Sequence, residues 1–466
     1  MRNTLFIALF FSTFLYSGPR LEFEQTALDN YVHALDEAYD YKIIKTIKGD
    51  GHTVFIIDLT SQTFLTEAEI NRPVWKHWLS VVYPDDIKHE TAMLIIGGGD
   101  NDGKVLQNAS EMSVAFATAS NSIVAELYMV PNQPLTFTDE TEPRWEDAFI
   151  AYTWDKYLTS GDNKWPARMA MTKSATAAMD AVQALTKAQT TNTVSKFVVT
   201  GASKRGWTTW TAGAVDSRVE AIIPVVIDML NIEPSFKHHW EVYGFWAPAI
   251  KDYEDMKIMD WWQSEEMRSL NTLVDPISYK ERYEMPKLMV NAAGDEFFIP
   301  TSSQFYFDQL PAEKYLRYVP NANHSLDNTD ALETILAFYA SILNKSPRPK
   351  FSWQFGEDGS ITVWSESKAK EVRMWSAGNK KARDFRKDTI GNGWKSKKLM
   401  QQNDGSYKAI LKEPNKGWKA YFIELTYETS FGTPIKFTTP VRVTPNTLPF
   451  DYIPPEKPKR GFLSEE

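Results

Sequence analysis

Residues 197–207 read FVVTGASKRGW, an apolar run followed by small residues, a serine and the start of a helix, and they decide the fold. This order is typical of a nucleophile elbow, the sharp strand-to-helix turn that lifts a serine hydroxyl above a sheet and requires small neighbours. Gly201 and Ala202 meet that requirement. The usual motif has its second glycine two residues after the serine, a place held here by Arg205, and the glycine is Gly206 instead. Because the motif alone is weak evidence, the rest of the chain must support it.

The chain around this motif alternates between short apolar strands and amphipathic helices, from about residue 40 to residue 343. Alternation of this kind predicts an α/β fold with a mostly parallel sheet and helices on both faces. Together with the elbow it predicts an α/β-hydrolase-like domain over residues 22–346. The predicted strands are Val54–Leu59, Met93–Ile96, Ser122–Leu127, Phe197–Thr200, Ile222–Ile227, Leu288–Asn291 and Tyr315–Val319, and the predicted helices are Ala148–Tyr157, Ala167–Leu185 and Leu326–Leu343.

Residues 231–284 interrupt the alternation, because they are rich in aromatic residues and contain no clear strand. We interpret them as a helical insertion that lies over the C-terminal edge of the sheet and shapes a substrate pocket. Trp240 and Trp246 of this insertion, together with Trp207 beside the elbow, are the predicted substrate-binding residues. The alternative is that the aromatic side chains fill a larger core.

A second domain is predicted after the prolines at 347 and 349, which cannot continue a helix. Alternating strand patterns separated by turn signals predict a C-terminal β-sandwich over residues 350–447, and residues 448–466 are predicted to be an irregular tail. Tryptophans of this region are predicted to be core residues rather than carbohydrate ligands: Trp353, Trp364, Trp375, Trp394 and Trp418.

Composition excludes several classes of function. The chain of 466 residues has a net charge of −9 and no long basic block, which argues against nucleic acid as a partner. It contains no cysteine, which excludes disulfides, thiolate metal sites and a cysteine nucleophile.

The N-terminal residues have the outline of a signal peptide over residues 1–18. Arg2 precedes the apolar run Leu5–Leu15, and the small residues Ser17 and Gly18 follow it. This run is too short to cross about 30 Å of hydrocarbon, so we expect an exported protein, secreted or periplasmic, with no stable membrane span. A retained anchor or a buried N-terminal helix is the alternative.

The elbow serine, Ser203, needs a base and an orienting carboxylate, which follow it along the chain in the order acid, then histidine, in this type of hydrolase. Asp295 follows the predicted strand Leu288–Asn291, and His324 lies in the loop after Tyr315–Val319. The sequence therefore predicts Ser203, His324 and Asp295 as a catalytic triad.

Other candidates exist for two of these positions. His238 and His239 also follow the elbow, but they lie in the insertion and precede Asp295. Asp228 directly follows the strand Ile222–Ile227 and is the rival acid. As adjacent residues on a helix, the two insertion histidines would point about 100° apart, so we predict no metal site.

An oxyanion hole needs backbone N–H donors, commonly one from the residue after the serine and one from an earlier strand loop. Lys204 is the first predicted donor, and Gly98, within the triple glycine that follows Met93–Ile96, is the second. A phosphate-binding loop is the competing interpretation of these glycines, but neither Gly-Lys-Ser/Thr nor the G-x-G-x-x-G spacing is present. No cofactor is predicted.

Four motifs carry a resemblance to a known family: TGASKRGWTTW at 200–210, GGGDN at 97–101, NAAGDEFF at 291–298 and PNANH at 320–324. Over about residues 25–445 the chain resembles the PhoPQ-activated pathogenicity-related proteins, which include the autocrine proliferation repressor-like proteins. The resemblance implies an α/β-hydrolase domain with an appended β domain and frequent export, and it does not settle the substrate. Glucuronoyl esterases are similar in a narrower way: a basic residue also follows their serine, but it is an arginine, which Lys204 matches in charge only.

We therefore expect an exported serine hydrolase that cleaves an ester or amide by acyl transfer, acting on a small-molecule, carbohydrate-ester or peptide substrate. The alternative is a catalytically silent protein that keeps the hydrolase fold for binding or signalling and is linked to virulence or growth regulation.

Overall fold

A computed structural model of the chain describes residues 23–189 and 193–464, so the predicted signal peptide lies outside the described residues. The strands are β1 (Asp40–Lys48), β2 (His52–Thr63), β3 (Val74–Pro84), β4 (Thr91–Ile96), β5 (Val124–Leu127), β6 (Lys196–Ala202), β7 (Val219–Val225), β8 (Lys287–Ala292), β9 (Lys314–Val319), β10 (Phe351–Phe355), β11 (Ser360–Ser365), β12 (Glu371–Asn379), β13 (Lys395–Lys398), β14 (Tyr407–Ile410), β15 (Trp418–Tyr427), β16 (Ile435–Thr438) and β17 (Arg442–Thr444). The α-helices are α1 (Ala27–His33), α2 (Glu111–Ser120), α3 (Glu146–Ser160), α4 (Ala167–Gln189), α5 (Lys204–Val215), α6 (Ile232–Tyr243), α7 (Lys251–Asp255), α8 (Glu265–Val274), α9 (Ala331–Leu343) and α10 (Lys387–Ile390).

A twisted sheet runs through the whole molecule in the order β1-β2-β3-β5-β4-β6-β7-β8-β9-β16-β15-β12-β13, with β17 beside β15. Its centre is parallel: β4 pairs with β5 and β6, and β7, β8 and β9 continue in the same direction. The flanking strands β1 to β3 pair antiparallel. The predicted α/β class, with a mostly parallel centre covered by helices, is confirmed.

The central strands are buried because helices cover them on both sides. Strands β4, β6, β7 and β8 consist almost entirely of buried aliphatic and small residues, which is typical of parallel strands without a solvent face. Their carboxyl ends therefore meet at one edge of the sheet, where ligands of open α/β sheets bind.

The C-terminal strands are arranged in two layers, one of which continues the central sheet. Strand β16 pairs antiparallel with β9 through Thr438 and Leu316. The second layer, β10-β11-β14, shares one hydrophobic cluster with β12 and β15. The predicted boundary at residues 346–349 is thus not a break in the sheet, and the division into an α/β domain and a separate sandwich stays a prediction.

The segment 231–284 contains α6, α7, α8 and three short 3-10 helices, with no strand among its residues. Residues 448–464 have no helix or strand, but they pack against this insertion: Lys459 N–H donates to the Asp260 carbonyl, and Gly461 N–H donates to the Glu266 carboxylate. Among the helices of the described ranges, none has the combined length and apolar character that a membrane crossing requires.

Candidate active site

Ser203 lies at the turn between β6 and α5, at the carboxyl end of the parallel strands. Its backbone angles, φ 59° and ψ −125°, fall in a region that residues with a side chain rarely adopt. The N–H of Ser203 donates to the carbonyl of Val225 over 2.8 Å, which ties the turn to the neighbouring strand. Backbone strain of this kind is concentrated at functional sites. The turn has the strand-turn-helix geometry expected of a nucleophile elbow.

Two glycines make this turn possible. A Cβ atom on Gly201 would lie 2.8 Å from the carbonyl oxygen of Arg205. A Cβ atom on Gly206 would lie 2.9 Å from the carbonyl oxygens of Gly201 and Val225. Helix α5 therefore packs directly on the backbone of β6 and β7, and a glycine three residues after the serine meets this packing requirement.

Asp295 and His324 form a hydrogen-bonded pair at the same edge. His324 Nδ1 lies 2.9 Å from one carboxylate oxygen of Asp295 and 3.1 Å from the other. The backbone N–H groups of Phe297 and Phe298 also donate to Asp295, and they fix the orientation of its carboxylate. The backbone N–H of His324 donates to Glu296, which holds the histidine loop against the acid loop.

The other imidazole nitrogen, His324 Nε2, is buried and has no hydrogen-bond partner among the described residues. The ring of Phe297 covers the imidazole at a centroid distance of 4.3 Å. None of the hydrogen bonds within the described ranges joins Ser203 Oγ to His324. The structure thus places all three predicted triad residues at one sheet edge, with the acid–base pair formed and the contact between serine and histidine not made.

A narrow cavity of about 40 Å³ lies beside Ser203. One water molecule needs about 10–15 Å³ on this scale, so the cavity holds a group of a few heavy atoms. Its lining combines a nucleophile with charged and aromatic side chains, among them Arg168, Ser203, Lys204, Trp207, Asp228 and Phe297.

The predicted oxyanion donors lie on either side of the elbow. Lys204 is the first residue of α5, so its N–H has no partner within the helix. Gly98 follows β4, and a Cβ atom there would lie 2.7 Å from a guanidinium nitrogen of Arg205. The N–H of Gly97 already donates to the Leu127 carbonyl over 2.7 Å, so it cannot serve as a donor to substrate.

The side chain of Lys204 belongs to a charged network. Its Nζ lies 3.0 Å from carboxylate oxygens of both Glu146 and Asp147, and Arg205 donates two hydrogen bonds to Glu146. Burial alone would raise the pKa of Glu146, but Arg205 and Lys204 outweigh burial and hold that pKa at about 2. The network fixes both residues that follow Ser203 in the first turn of α5.

The predicted substrate-binding tryptophans differ in position. Trp207 is buried and lines the cavity, whereas Trp240 and Trp246 are not among its lining residues. These two tryptophans pack on each other, with ring centroids 5.1 Å apart. Helix α6 presents Phe236 and His239 to the cavity instead.

Asp228, the rival acid, has different partners from Asp295. It accepts hydrogen bonds of 2.6 Å from the hydroxyls of Tyr306 and Tyr318. Burial raises the pKa of Asp228 to about 7, although the two tyrosine hydrogen bonds act in the opposite direction. His324 is paired with Asp295 rather than with Asp228.

Three site residues were not predicted from the sequence: Arg168, Glu146 and Phe297. Arg168 is the second residue of α4 and Glu146 is the first residue of α3, so each is placed by a helix with no motif of its own. Phe297 follows the Gly-Asp-Glu sequence at 294–296. Its closeness to Asp295 in the sequence was the one signal that could have placed it in the site. No three His, Asp or Glu side chains in residues 23–189 and 193–464 cluster in a way that could hold a metal ion.

The sheet order, the strained serine turn after β6 and the Asp–His pair on β8 and β9 define an α/β-hydrolase-fold protein. The sequence matches the profile of the family described as PhoPQ-activated pathogenicity-related protein over residues 28–386. The chain belongs to this family, as its motifs predict. A curated relative, autocrine proliferation repressor protein A of Dictyostelium discoideum, is 37% identical over 454 residues, which is 91% of this chain and 92% of that protein.

Solved structures of low sequence identity also match the chain. An acetyl xylan esterase from Paenibacillus sp. R4 aligns with a TM-score of 0.47 and 13% identity, covering 68% of this chain and 91% of the other. Acetyl xylan esterase 1 from Thermoanaerobacterium sp. JW/SL YS485 aligns with a TM-score of 0.44 and 14% identity, covering 64% of this chain and 86% of the other.

Proposed function

We propose that the protein is an exported serine hydrolase, secreted or periplasmic, that cleaves an ester or amide through an acyl-enzyme. Ser203 is the nucleophile, His324 the general base and acid, and Asp295 the residue that orients the imidazole. The backbone N–H of Lys204 and that of Gly98 are the oxyanion donors. The substrate is a small molecule, a carbohydrate ester or a peptide.

The reaction consists of two acyl transfers. Ser203 Oγ forms a bond to the acyl carbon while His324 Nε2 takes the hydroxyl proton, and the bond to the alcohol or amine then breaks as that proton is delivered to the leaving group. Water, deprotonated by the same nitrogen, attacks the acyl-enzyme and releases the acid. Asp295 stabilises the imidazolium that exists in both steps, because its carboxylate holds His324 Nδ1 at 2.9 Å.

The observation that supports this proposal is the pairing of His324 with Asp295 at the strand ends next to a serine in elbow geometry. The orphaned His324 Nε2 is consistent with it, since an imidazole nitrogen without a partner is available to a serine hydroxyl. Apo structures of hydrolases often have long or unaligned catalytic hydrogen bonds, which tighten in the substrate complex. The proposal requires that Ser203 Oγ and His324 Nε2 come within hydrogen-bond reach there.

Labelling with a fluorophosphonate probe tests the nucleophile. The wild type should be labelled, Ser203→Ala should not be, and Ser235→Ala, which removes a second serine that lines the cavity, should be labelled like the wild type. His324→Gln should slow labelling strongly, because the base is lost. A folded wild-type protein that stays unlabelled, or a Ser203→Ala protein that still reacts, contradicts the proposal.

One observation favours the alternative of a catalytically silent binding or signalling protein. The Phe297 ring covers the imidazole, and no hydrogen bond joins the histidine to the serine within the described ranges. If the wild type neither reacts with the probe nor hydrolyses any of a panel of chromogenic esters and aminopeptidase substrates, the fold serves binding, and the growth regulation named for the Dictyostelium relative becomes the function to test.

A further inference from the structure

Arg168 is an unusual side chain for the wall of a cavity, because it is charged and only 4% exposed. One guanidinium nitrogen donates to the Lys204 carbonyl over 3.2 Å, and the other lies 3.5 Å from the hydroxyl of Tyr253. The guanidinium carbon lies 3.9 Å from the ring centroid of Trp207. Its Nε is buried without a hydrogen-bond partner among the described residues. The guanidinium is therefore held in place, with donor capacity left over.

A buried charge is normally paired with an opposite charge. Arg282 and Arg317, which are buried to a similar degree, follow this rule: Arg282 is paired with Asp29, and Arg317 with Glu424 and Asp330. No carboxylate of the described ranges forms an ion pair with Arg168. Arg168 thus departs from the rule in the wall of a cavity, where a ligand could supply the missing charge.

The two carboxylates at the start of α3 are already paired with other groups. Asp147 receives a hydrogen bond from the Tyr253 hydroxyl and an ion pair from Lys204, each at 3.0 Å. Glu146 is shared between Arg205 and Lys204. Lys204 and Arg205 are thus paired with these two carboxylates, whereas Arg168 has no carboxylate partner among the described residues.

Other features of the cavity also favour an anion. Asp228, its remaining acidic wall, has a pKa raised to about 7 by burial, so a large fraction is uncharged at neutral pH. Arg168 stands in the first turn of α4, and Lys204 begins α5, so two helix N-termini, each the positive end of a helix dipole, lie at the cavity. The volume of about 40 Å³ is sufficient for a small group such as a carboxylate.

We propose that Arg168 binds a carboxylate of the substrate, so that the protein hydrolyses esters or amides that carry an anionic group close to the scissile carbonyl. A guanidinium presents N–H groups in a planar fork that matches a carboxylate, and the contact with the Trp207 ring limits the movement of that fork. The inference rests on the proposed hydrolase function and names its substrate class. The carboxylate can belong to the acyl group or to the leaving alcohol.

The wild-type protein tests this with two matched pairs of esters. For the alcohol side, 4-acetoxybenzoate is compared with methyl 4-acetoxybenzoate, and for the acyl side, mono-4-nitrophenyl glutarate is compared with its methyl ester, after subtraction of uncatalysed hydrolysis. We expect kcat/KM to favour the anionic member of one pair by about 10–100-fold, the effect of a charged hydrogen bond worth about 1.5–3 kcal/mol. Equal or lower values for the anionic member of both pairs overturn the inference.

Variants assign the preference to Arg168. In Arg168→Met the ratio of the two kcat/KM values should fall towards one, and in Arg168→Lys, which keeps the charge but loses the fork, it should fall by a smaller factor. Arg383→Met is the matched control: Arg383 is also 4% exposed and forms no carboxylate ion pair among the described residues, but it is not a lining residue. If Arg168→Met retains the full anionic preference, Arg168 is not the source of that preference. If Arg168→Met does not fold, the same comparison is made with Arg168→Lys.

Binding without turnover separates this inference from the hydrolase proposal. Benzoate or glutarate should raise the Tm of Ser203→Ala protein by more than that of the double variant Ser203→Ala/Arg168→Lys, at constant ionic strength. If a carboxylate stabilises the protein through Arg168 but none of the four esters is hydrolysed, the carboxylate site is supported and the hydrolase proposal is rejected. Hydrolysis of the neutral esters with no anionic preference and no stabilisation would retain the enzyme and reject the site.

Discussion

The two carboxylates at the C-terminal edge of the sheet have contrasting surroundings. Asp295 is surrounded by nitrogen partners: it accepts hydrogen bonds from two backbone N–H groups and is paired with His324. Asp228 is 2% exposed, and its side-chain partners among the described residues are the hydroxyls of Tyr306 and Tyr318. Burial raises the pKa of Asp228 to about 7, and the negative charge of Asp295 acts in the same direction. Two acids at one edge are thereby made chemically different.

Stability should therefore depend on pH through Asp228. Its pKa in the folded protein, about 7, is above the ordinary value of 3.8, so the folded state binds this proton more tightly than the unfolded state. The contribution to the free energy of unfolding is complete below about pH 4 and is lost as the pH rises to about 7, by at most about 1.4 kcal/mol per pH unit. Asp228→Asn cannot titrate, so it should gain stability relative to the wild type over this range.

Urea unfolding at about pH 5, 6 and 7 measures this difference, because other titrating groups contribute equally to both proteins. The exposed Asp50 provides the control, and Asp50→Asn should shift the unfolding midpoint by the same small amount at each pH. A difference between wild type and Asp228→Asn that does not change with pH would show that Asp228 is already ionised when folded.

At the scale of secondary-structure elements, position in the sheet explains which site residues the sequence could predict. Ser203, Asp295 and His324 follow strands whose apolar runs are recognisable, and parallel strands bring their carboxyl ends together. The strands β1 and β3 were not predicted, because their residues alternate between buried and exposed positions without a continuous apolar run.

Site residues on helices were harder to predict, because the direction of each side chain depends on its angular position around the helix axis. Phe236 and His239 are three residues apart and share one face of α6, whereas Trp240, one residue further, points about 100° away from His239. The prediction that Trp240 lines the pocket rested on aromatic composition alone. Because of its direction on the helix, Trp240 lies outside the lining. Arg168 had no sequence signal, because what marks it is that no carboxylate of the described ranges forms an ion pair with it in three dimensions.

The packing of α5 on β6 and β7 gives a prediction for Gly206. In Gly206→Ala the new Cβ would lie 2.9 Å from two backbone carbonyl oxygens and from a methyl group of Ile227, so the helix must move away from the sheet. We expect a loss of about 1–3 kcal/mol in the free energy of unfolding, measured by urea titration, and slower fluorophosphonate labelling as the elbow shifts.

The matched control for this helix–sheet contact is Gly378→Ala in strand β12. A Cβ atom there would meet its nearest neighbours, Lys419 Cγ and the Trp418 carbonyl, at 3.7 and 3.8 Å, which is ordinary van der Waals contact. Gly378→Ala should leave both stability and labelling close to the wild type. If the two variants behave alike, close packing at Gly206 is not what maintains the elbow.

At the scale of the whole molecule, the segment between β12 and β13 supports the site, in addition to the sheet extension that the C-terminal strands form. The backbone N–H of Lys387 donates to the carbonyl of Gly294, directly before Asp295, over 2.9 Å. The side chain of Asn321 accepts a hydrogen bond of 2.9 Å from Trp394 N–H and donates one of 3.0 Å to the Trp394 carbonyl. Both the acid loop and the histidine loop are thus held by residues that follow the predicted domain boundary.

This arrangement predicts that Asn321→Gly impairs catalysis from a position with no contact to substrate. Asn321 has φ 56°, which glycine tolerates, so the variant removes the two bridging hydrogen bonds without adding backbone strain. The loop that carries His324 should become less well positioned, and a displacement of about 1 Å can cost about 100-fold in rate. We expect kcat on a neutral ester to fall about 10-fold or more while KM changes little, with a loss of about 1–3 kcal/mol in stability.

Asn328 offers a closely matched control for this long-range support. It has φ 57°, lies four residues beyond His324 and is exposed, with no side-chain hydrogen bond among the described residues. Asn328→Gly therefore makes the same chemical change in the same loop region without touching the bridge to Trp394, and its kcat should equal that of the wild type. If Asn321→Gly and Asn328→Gly have the same kcat, the contact with Trp394 does not position the histidine, and the C-terminal region contributes to the fold rather than to the site.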